Sequence, residues 1–212
     1  MDITNPLTET YAAQHSTPIS TLLQQILEYT QANHAQPHMI SGAVQGQLLQ
    51  IMSSIIKPKY ILEVGTFTGF SALCLAVGMQ PQGQLHTIEL RADDAAIAQN
   101  YFNKSIYHNN IHLHIGHALA VLPTLTPQWD LVFIDADKVN YCKYYDLILP
   151  QVKQGGIILV DNVLFHGQVL EPIITGKNAI AIHAFNQKIK NDTAIQHVLL
   201  TVRDGIMIIL KK

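Results

Sequence analysis

Two stretches put oxygen donors where apolar runs end: Asp135-Ala136-Asp137-Lys138 after residues 129–134, and Asp161-Asn162 after residues 157–160. Asp135, Asp161 and Asn162 offer two carboxylates and an amide oxygen, with no thiolate or imidazole. Such a set suits a hard cation such as Mg²⁺, which keeps coordination positions for water or a substrate oxygen. Lys138 follows Asp135 by three residues. A nearby dication and partial burial both disfavour an ammonium, so its pKa is expected to fall and Lys138 to serve as base toward a metal-acidified hydroxyl. Plainer readings stay open. A strand-end carboxylate can cap the next helix, a D-x-D can serve another kind of metal enzyme, and a lone lysine can be a solvated charge.

A second constellation lies earlier, in Glu63-Val64-Gly65-Thr66-Phe67-Thr68-Gly69-Phe70-Ser71. Gly65 can take a backbone angle closed to other residues and lets a ligand approach without a Cβ in the way. Gly69 lets the following helix begin close to that ligand. Glu89 ends the next apolar run, where a carboxylate can accept from both hydroxyls of an adenosine ribose. The G-x-G-x-x-G that seats a pyrophosphate is missing. S-adenosylmethionine fits instead, its ribose on Glu89 and its amino acid end at the loop near Glu63 and Gly65. A packing-only glycine turn and a solvated strand-end acid are the alternatives.

These groups need a scaffold that brings strand ends together. Residues 60–64, 84–89, 111–115, 129–134 and 157–160 read as strands, alternating with helical patterns over 69–79, 91–105, 117–125 and 140–152. Residues 177–190 are a further helix, and 195–202 with 206–210, around Arg203-Asp204-Gly205, suggest a terminal antiparallel hairpin. Helices over 19–32 and 43–56 precede the first strand, whereas residues 1–17 show no sustained period. The expectation is an α/β fold: a Rossmann-like, mainly parallel open sheet with helices on both faces. It forms a single domain over 1–212, with residues 1–57 as an N-terminal helical cap.

Composition narrows the partners. A net charge of −2 without a basic run speaks against nucleic acid. No basic-then-apolar leader is visible, and no apolar stretch looks long enough to span a membrane. Cys74 and Cys142 lack metal-site spacing and read as thiols of a reducing compartment. A cytoplasmic protein is expected.

Taken in order, Glu63 to Ser71, Glu89, Asp135-Ala136-Asp137-Lys138-Val139-Asn140-Tyr141 and Asp161-Asn162-Val163-Leu164 resemble the cation-dependent O-methyltransferases, the caffeoyl-coenzyme A and catechol O-methyltransferases with their bacterial relatives. The likeness runs from about Met39 to the C-terminus. It implies S-adenosylmethionine binding at Ser41, Glu63, Gly65, Thr66, Ser71, Glu89, Ala118, Asp137 and Tyr144. It also implies Mg²⁺ or another divalent cation on Asp135, Asp161 and Asn162, Lys138 as catalytic base, and Asp135 and His166 facing the substrate. His166 stands where the plant enzymes carry asparagine, and Phe165 where they carry tryptophan, so the departure bears on the acceptor and not on the chemistry. A seven-stranded sheet and a homodimer are further implications. The expected activity is methylation of one hydroxyl of a vicinal aromatic diol. The rivals are a cofactor-binding module that does not methylate, acting as sensor or partner, and an NAD-dependent oxidoreductase.

Overall fold

The computed structural model describes residues 5–212. Its first element, α1 (Pro6–Gln14), occupies a stretch where the sequence shows no sustained period. The Asn5 side chain accepts from the backbone N–H of Leu7 at 2.9 Å, and proline at the first helical position needs no donor. Next come α2 (Thr21–Asn33), capped by Ser20, and α3 (Ala43–Ile56), which ends on left-handed Lys57 ahead of Pro58.

By length and composition alone, Pro37–Ile56 does pass as a membrane span, against the reading of the sequence. The chain breaks that stretch: a 3-10 turn at Pro37–Met39 gives way to extended Ile40 and Gly42 before α3 begins. The 14 residues of α3 measure ~21 Å, short of a ~30 Å hydrocarbon core.

The rest alternates as β1 (Tyr60–Val64), α4 (Phe70–Ala76), β2 (Gln84–Glu89), α5 (Ala92–Lys104), β3 (Ile111–Ile115), α6 (Ala118–Val121), β4 (Trp129–Ile134), α7 (Tyr141–Ile148), β5 (Val152–Asp161), α8 (Lys177–Asn191), β6 (Ile195–Leu200) and β7 (Ile206–Lys211). The strands form one seven-stranded sheet in the order β3-β2-β1-β4-β5-β7-β6, parallel except for β7. The fold class and the terminal hairpin are therefore as expected.

Several boundaries differ from those expected, two of them because of a proline. The helix expected over 140–152 stops at Ile148 and tightens into a 3-10 turn through Pro150, which has no N–H to extend it. Val152 already pairs with Trp129, and the register then shifts across Lys153 to Gly156, with Gly155 at φ 77°. Pro123 likewise cuts α6 short. The helix expected over 69–79 ends at Ala76.

Two apolar layers sandwich the sheet. On one face Trp129, Tyr141, Tyr145 and Phe185 pack under α6, α7 and α8. On the other, Phe70 and Phe102 pack with Leu23, Ile26 and Leu49 of α2 and α3. The apolar residues Leu23, Ile26 and Leu49 of the two N-terminal helices are thus part of the core, the plainer of the readings their sequence allows. The edge pair β2–β3 also collects histidines that look scattered in the sequence. His86 Nδ1 lies 3.0 Å from His114 Nε2, and the His112 ring centroid is 4.8 Å from that of His86. Burial, then the neighbouring His112 and His114, push His86 down to about 4.

Candidate active site

The strand order reverses at β1, whose neighbours are β2 and β4. In an open α/β sheet the crevice at such a reversal is where ligands bind. Here it is a cavity of about 610 Å³ on the carboxyl edge. Thirteen site residues named from the sequence line it: Ser41, Gly65, Thr66, Ser71, Glu89, Ala118, Asp135, Asp137, Lys138, Tyr144, Asp161, Asn162 and His166. His166 stands at its rim, with 66% of its side chain exposed.

Both glycines take the positive backbone angles their type allows, and each also serves packing. A Cβ on Gly65, at φ 101°, would sit 2.1 Å from the Asp135 carbonyl oxygen, so its bareness serves the contact between two loops. A Cβ on Gly69 would meet the Phe102 ring at 2.8 Å, which ties that residue to α5 packing. Between them Phe67 is held at φ 50°, its backbone N–H donating to Glu89 Oε2 at 2.7 Å. Arg91 N–H donates to Glu89 Oε1 at 3.0 Å. Glu89 is thereby fixed in place, and each oxygen keeps a lone pair for a further donor.

Glu63 is the exception among the named residues. It lies fully buried beneath the turn and does not line the cavity. Thr87 Oγ1 donates to its Oε2 at 2.5 Å, while Oε1 has no hydrogen-bond partner of ordinary geometry although the Ser71 hydroxyl lies beside it and favours the charged form. Burial outweighs these hydroxyls and pushes Glu63 up to about 8. Thr66 Oγ1 meets Thr87 Oγ1 at 2.5 Å, linking the turn to this buried acid. Farther along, Asp137 accepts from the Tyr144 hydroxyl and, at 2.5 Å, from Asn140 Nδ2.

The oxygen set fits a hard cation. Asp161 is 4% exposed, and its pKa is raised by burial and then by the charge of Asp135, the mark of two carboxylates sharing one site. Asn162 takes the left-handed angle φ 57°. Its Nδ2 donates to Asp204 Oδ2 at 3.0 Å, which turns the amide oxygen away from Asp204. Among the described residues no group of three or more His, Cys, Asp or Glu could hold a metal, so a cation on Asp135 and Asp161 would need a ligand of another kind, such as the Asn162 amide oxygen.

Lys138 is tightly paired. Its Nζ donates to Asp135 Oδ1 and to the Tyr141 hydroxyl, each at 2.7 Å. Burial opposes the ammonium, yet Asp135 and Tyr141 more than offset it, so the pKa is raised and not lowered. The pair stands as an ion pair.

Three contributors escaped the sequence reading: Gln45, Arg203 and Asp204. Gln45 Nε2 donates to Asp161 Oδ2 at 2.7 Å, and Arg203 Nη1 to Gln45 Oε1 at 2.9 Å. Asp204 receives Asn162 Nδ2 and, on Oδ1, the backbone N–H of His166 at 2.5 Å. A polar residue in the apolar face of a helix was the only signal for Gln45. The Asp-Gly pair had read simply as a turn.

Comparison with known proteins identifies the family of the chain. A family model described as O-methyltransferase matches residues 13–212. "Probable caffeoyl-CoA O-methyltransferase 1" of Dictyostelium discoideum is 32% identical over 207 residues, covering 95% of this chain and 90% of that protein. A catechol O-methyltransferase of Niastella koreensis is 31% identical over 173 residues, 80% of this chain and 78% of its own. Among solved structures, the SAH-bound methyltransferase PaMTH1 of Podospora anserina superposes with a TM-score of 0.90 at 29% identity, covering 97% of this chain and 94% of that one.

Proposed function

This chain belongs to the O-methyltransferase family, and we propose that it transfers the methyl group of S-adenosylmethionine to one hydroxyl of a catechol-type acceptor, with a divalent cation bound. One observation carries the reading: a ribose-ready Glu89, an oxygen-only trio and a lysine paired to one member of that trio open onto a single crevice. The Niastella koreensis relative, named for catechol, supports the acceptor class. Family membership sets the nicotinamide oxidoreductase aside.

In this reading Ser41, Gly65, Thr66, Ser71, Glu89, Ala118, Asp137 and Tyr144 hold the methyl donor, and Glu63 acts on it from beneath the turn. Asp135, Asp161 and Asn162 hold Mg²⁺ or another divalent cation, which would withdraw charge from an acceptor hydroxyl and lower its pKa. Asp135 and His166 face the acceptor. Lys138 Nζ can take a proton only when Asp135 stops holding it as an ammonium. Engaging the Asp135 carboxylate elsewhere does that, so base and cation are coupled through one side chain. The walls contribute placement as well: an acceptor oxygen kept in line at ~3 Å from the methyl gains most of its advantage from that geometry. A dry site favours the collapse of opposite charges into neutral products.

The 1–212 chain works as one domain, with Ile40 and Ser41 before β1 closing one side of the cavity. The free thiols of Cys74 and Cys142 support the cytoplasmic assignment. Ile51 and Ile55, exposed one turn apart on α3, support a homodimer, which sedimentation would test. The direct test is methyl transfer to a panel of catechols and caffeoyl esters in Mg²⁺ and again in EDTA. Turnover abolished by chelation and restored by Mg²⁺ supports the reading; turnover indifferent to chelation removes the cation from it. Tight cofactor binding without turnover on any acceptor would return the non-methylating module.

A further inference from the structure

We propose that Gln45 is a positioning residue for Asp161, serving as a neutral spacer that passes orientation, but not charge, from Arg203 to that carboxylate. The inference rests on the cation reading of the preceding section.

Gln45 is fully buried in the first turn of α3. A buried amide needs partners for both ends, and both are present. Nε2 donates to Asp161 Oδ2 at 2.7 Å, and Oε1 accepts from Arg203 Nη1 at 2.9 Å. The chemistry of those partners fixes which end is which. A guanidinium offers only donors and an ionised carboxylate only acceptors. Rotating the amide by half a turn would set N–H against N–H and oxygen against carboxylate. Its orientation is therefore enforced.

Arg203 is itself held. It sits in the β6–β7 turn at φ 48°, a strained angle that persists where surrounding contacts over-determine it. Its Nε lies 3.6 Å from Glu9 Oε1 on α1. The path Glu9–Arg203–Gln45–Asp161 thus crosses α1, the hairpin turn, α3 and the end of β5. With Asn162 N–H donating to Oδ1 at 2.7 Å, both oxygens of Asp161 are located by neutral donors. Were the guanidinium to reach Asp161 directly, its charge would compete with a cation for the same oxygens. The inserted amide keeps the carboxylate's aim and leaves its charge available. Groups that orient a metal ligand in this way are worth about 10–100-fold in metal affinity when removed.

The test is Mn²⁺ binding to the purified chain, read by electron paramagnetic resonance, alongside calorimetric S-adenosylmethionine binding. Gln45→Met keeps length and removes both polar ends. The expected result is Mn²⁺ affinity weakened about 10–100-fold, with cofactor affinity and melting cooperativity retained. In turnover the cation requirement should rise while the rate at saturating cation falls less. Wild-type Mn²⁺ affinity in a folded Gln45→Met variant overturns the inference. Arg203→Met, at a partly exposed turn position, keeps the test open if the buried variant fails to fold. It should weaken Mn²⁺ severalfold, and unchanged affinity there overturns the spacer. Failure of the wild-type chain itself to bind Mn²⁺ overturns the cation reading beneath it, a result distinct from a variant that binds as well as wild type.

Discussion

Asp204 holds one end of Asn162: Oδ2 accepts from the amide Nδ2 at 3.0 Å, so the amide oxygen is turned away from Asp204. An amide has a donor end and an acceptor end, and only the acceptor can ligate a cation. Asp204→Ala removes what tells the two ends apart. Calorimetric titration should show Mg²⁺ or Mn²⁺ affinity lowered by about tenfold or more, with S-adenosylmethionine affinity unchanged. Equal weakening of both ligands would instead mark Asp204 as a support of the hairpin turn alone.

Lys138→Met should leave cofactor affinity intact and reduce kcat by roughly 10²–10⁴-fold, the usual contribution of a general base. Because Nζ stands as an ammonium against Asp135, the variant also exposes that carboxylate to a cation without a competing charge. Cation affinity should therefore hold or improve as turnover falls. Loss of cofactor binding in step with turnover would make the lysine structural.

Glu63 imposes a pH dependence on the free protein. The folded chain keeps its proton up to about 8, whereas an unfolded glutamate releases it near 4.5. Between those values the folded state binds the extra proton, so stability falls as pH rises through the window and levels off above it. The span corresponds to ~5 kcal/mol. Glu63→Gln, which copies the protonated form, should flatten thermal melts between pH 5 and about 8. A wild-type slope that survives the substitution would assign it to other groups.

His86 acts in the acid range and with the opposite slope. Its folded pKa is about 4 against an ordinary 6.5. The unfolded chain takes up a proton first, so stability declines as pH falls through that interval. Solvent screening at a half-buried ring leaves on the order of 1 kcal/mol. His86→Gln should reduce the drop in Tm between pH 6.5 and 4, measured by circular dichroism. An identical drop would place the acid sensitivity elsewhere.

What could be read beforehand followed from periodicity and from the shared direction of parallel strands. Asp135, Asp161 and Gly65 each end a strand, so one edge of the sheet had to gather them. Gln45 could not be found in that way, because its partner is Asp161, 116 residues away. No local pattern encodes such a pairing. The ion pair of Lys138 with Asp135 was hidden for a related reason. Spacing shows that Asp135 is near but not that the two side chains close to 2.7 Å. α1 was legible in principle, since Asn5-Pro6 is a helix start signal, but its mixed polarity gave no stripe to confirm it.

The bare α-carbon of Gly65 against the Asp135 carbonyl has a consequence for anyone rebuilding this protein. With 2.1 Å available where a methyl group would stand, the loop after β1 and the loop after β4 behave as one casting. Engineers seeking a new acceptor should leave both untouched and vary the detachable parts of the rim, the segment around His166 and the approach through Met39. Transplanting donor recognition onto another scaffold would likewise succeed only if the β1–β4 pair travelled together.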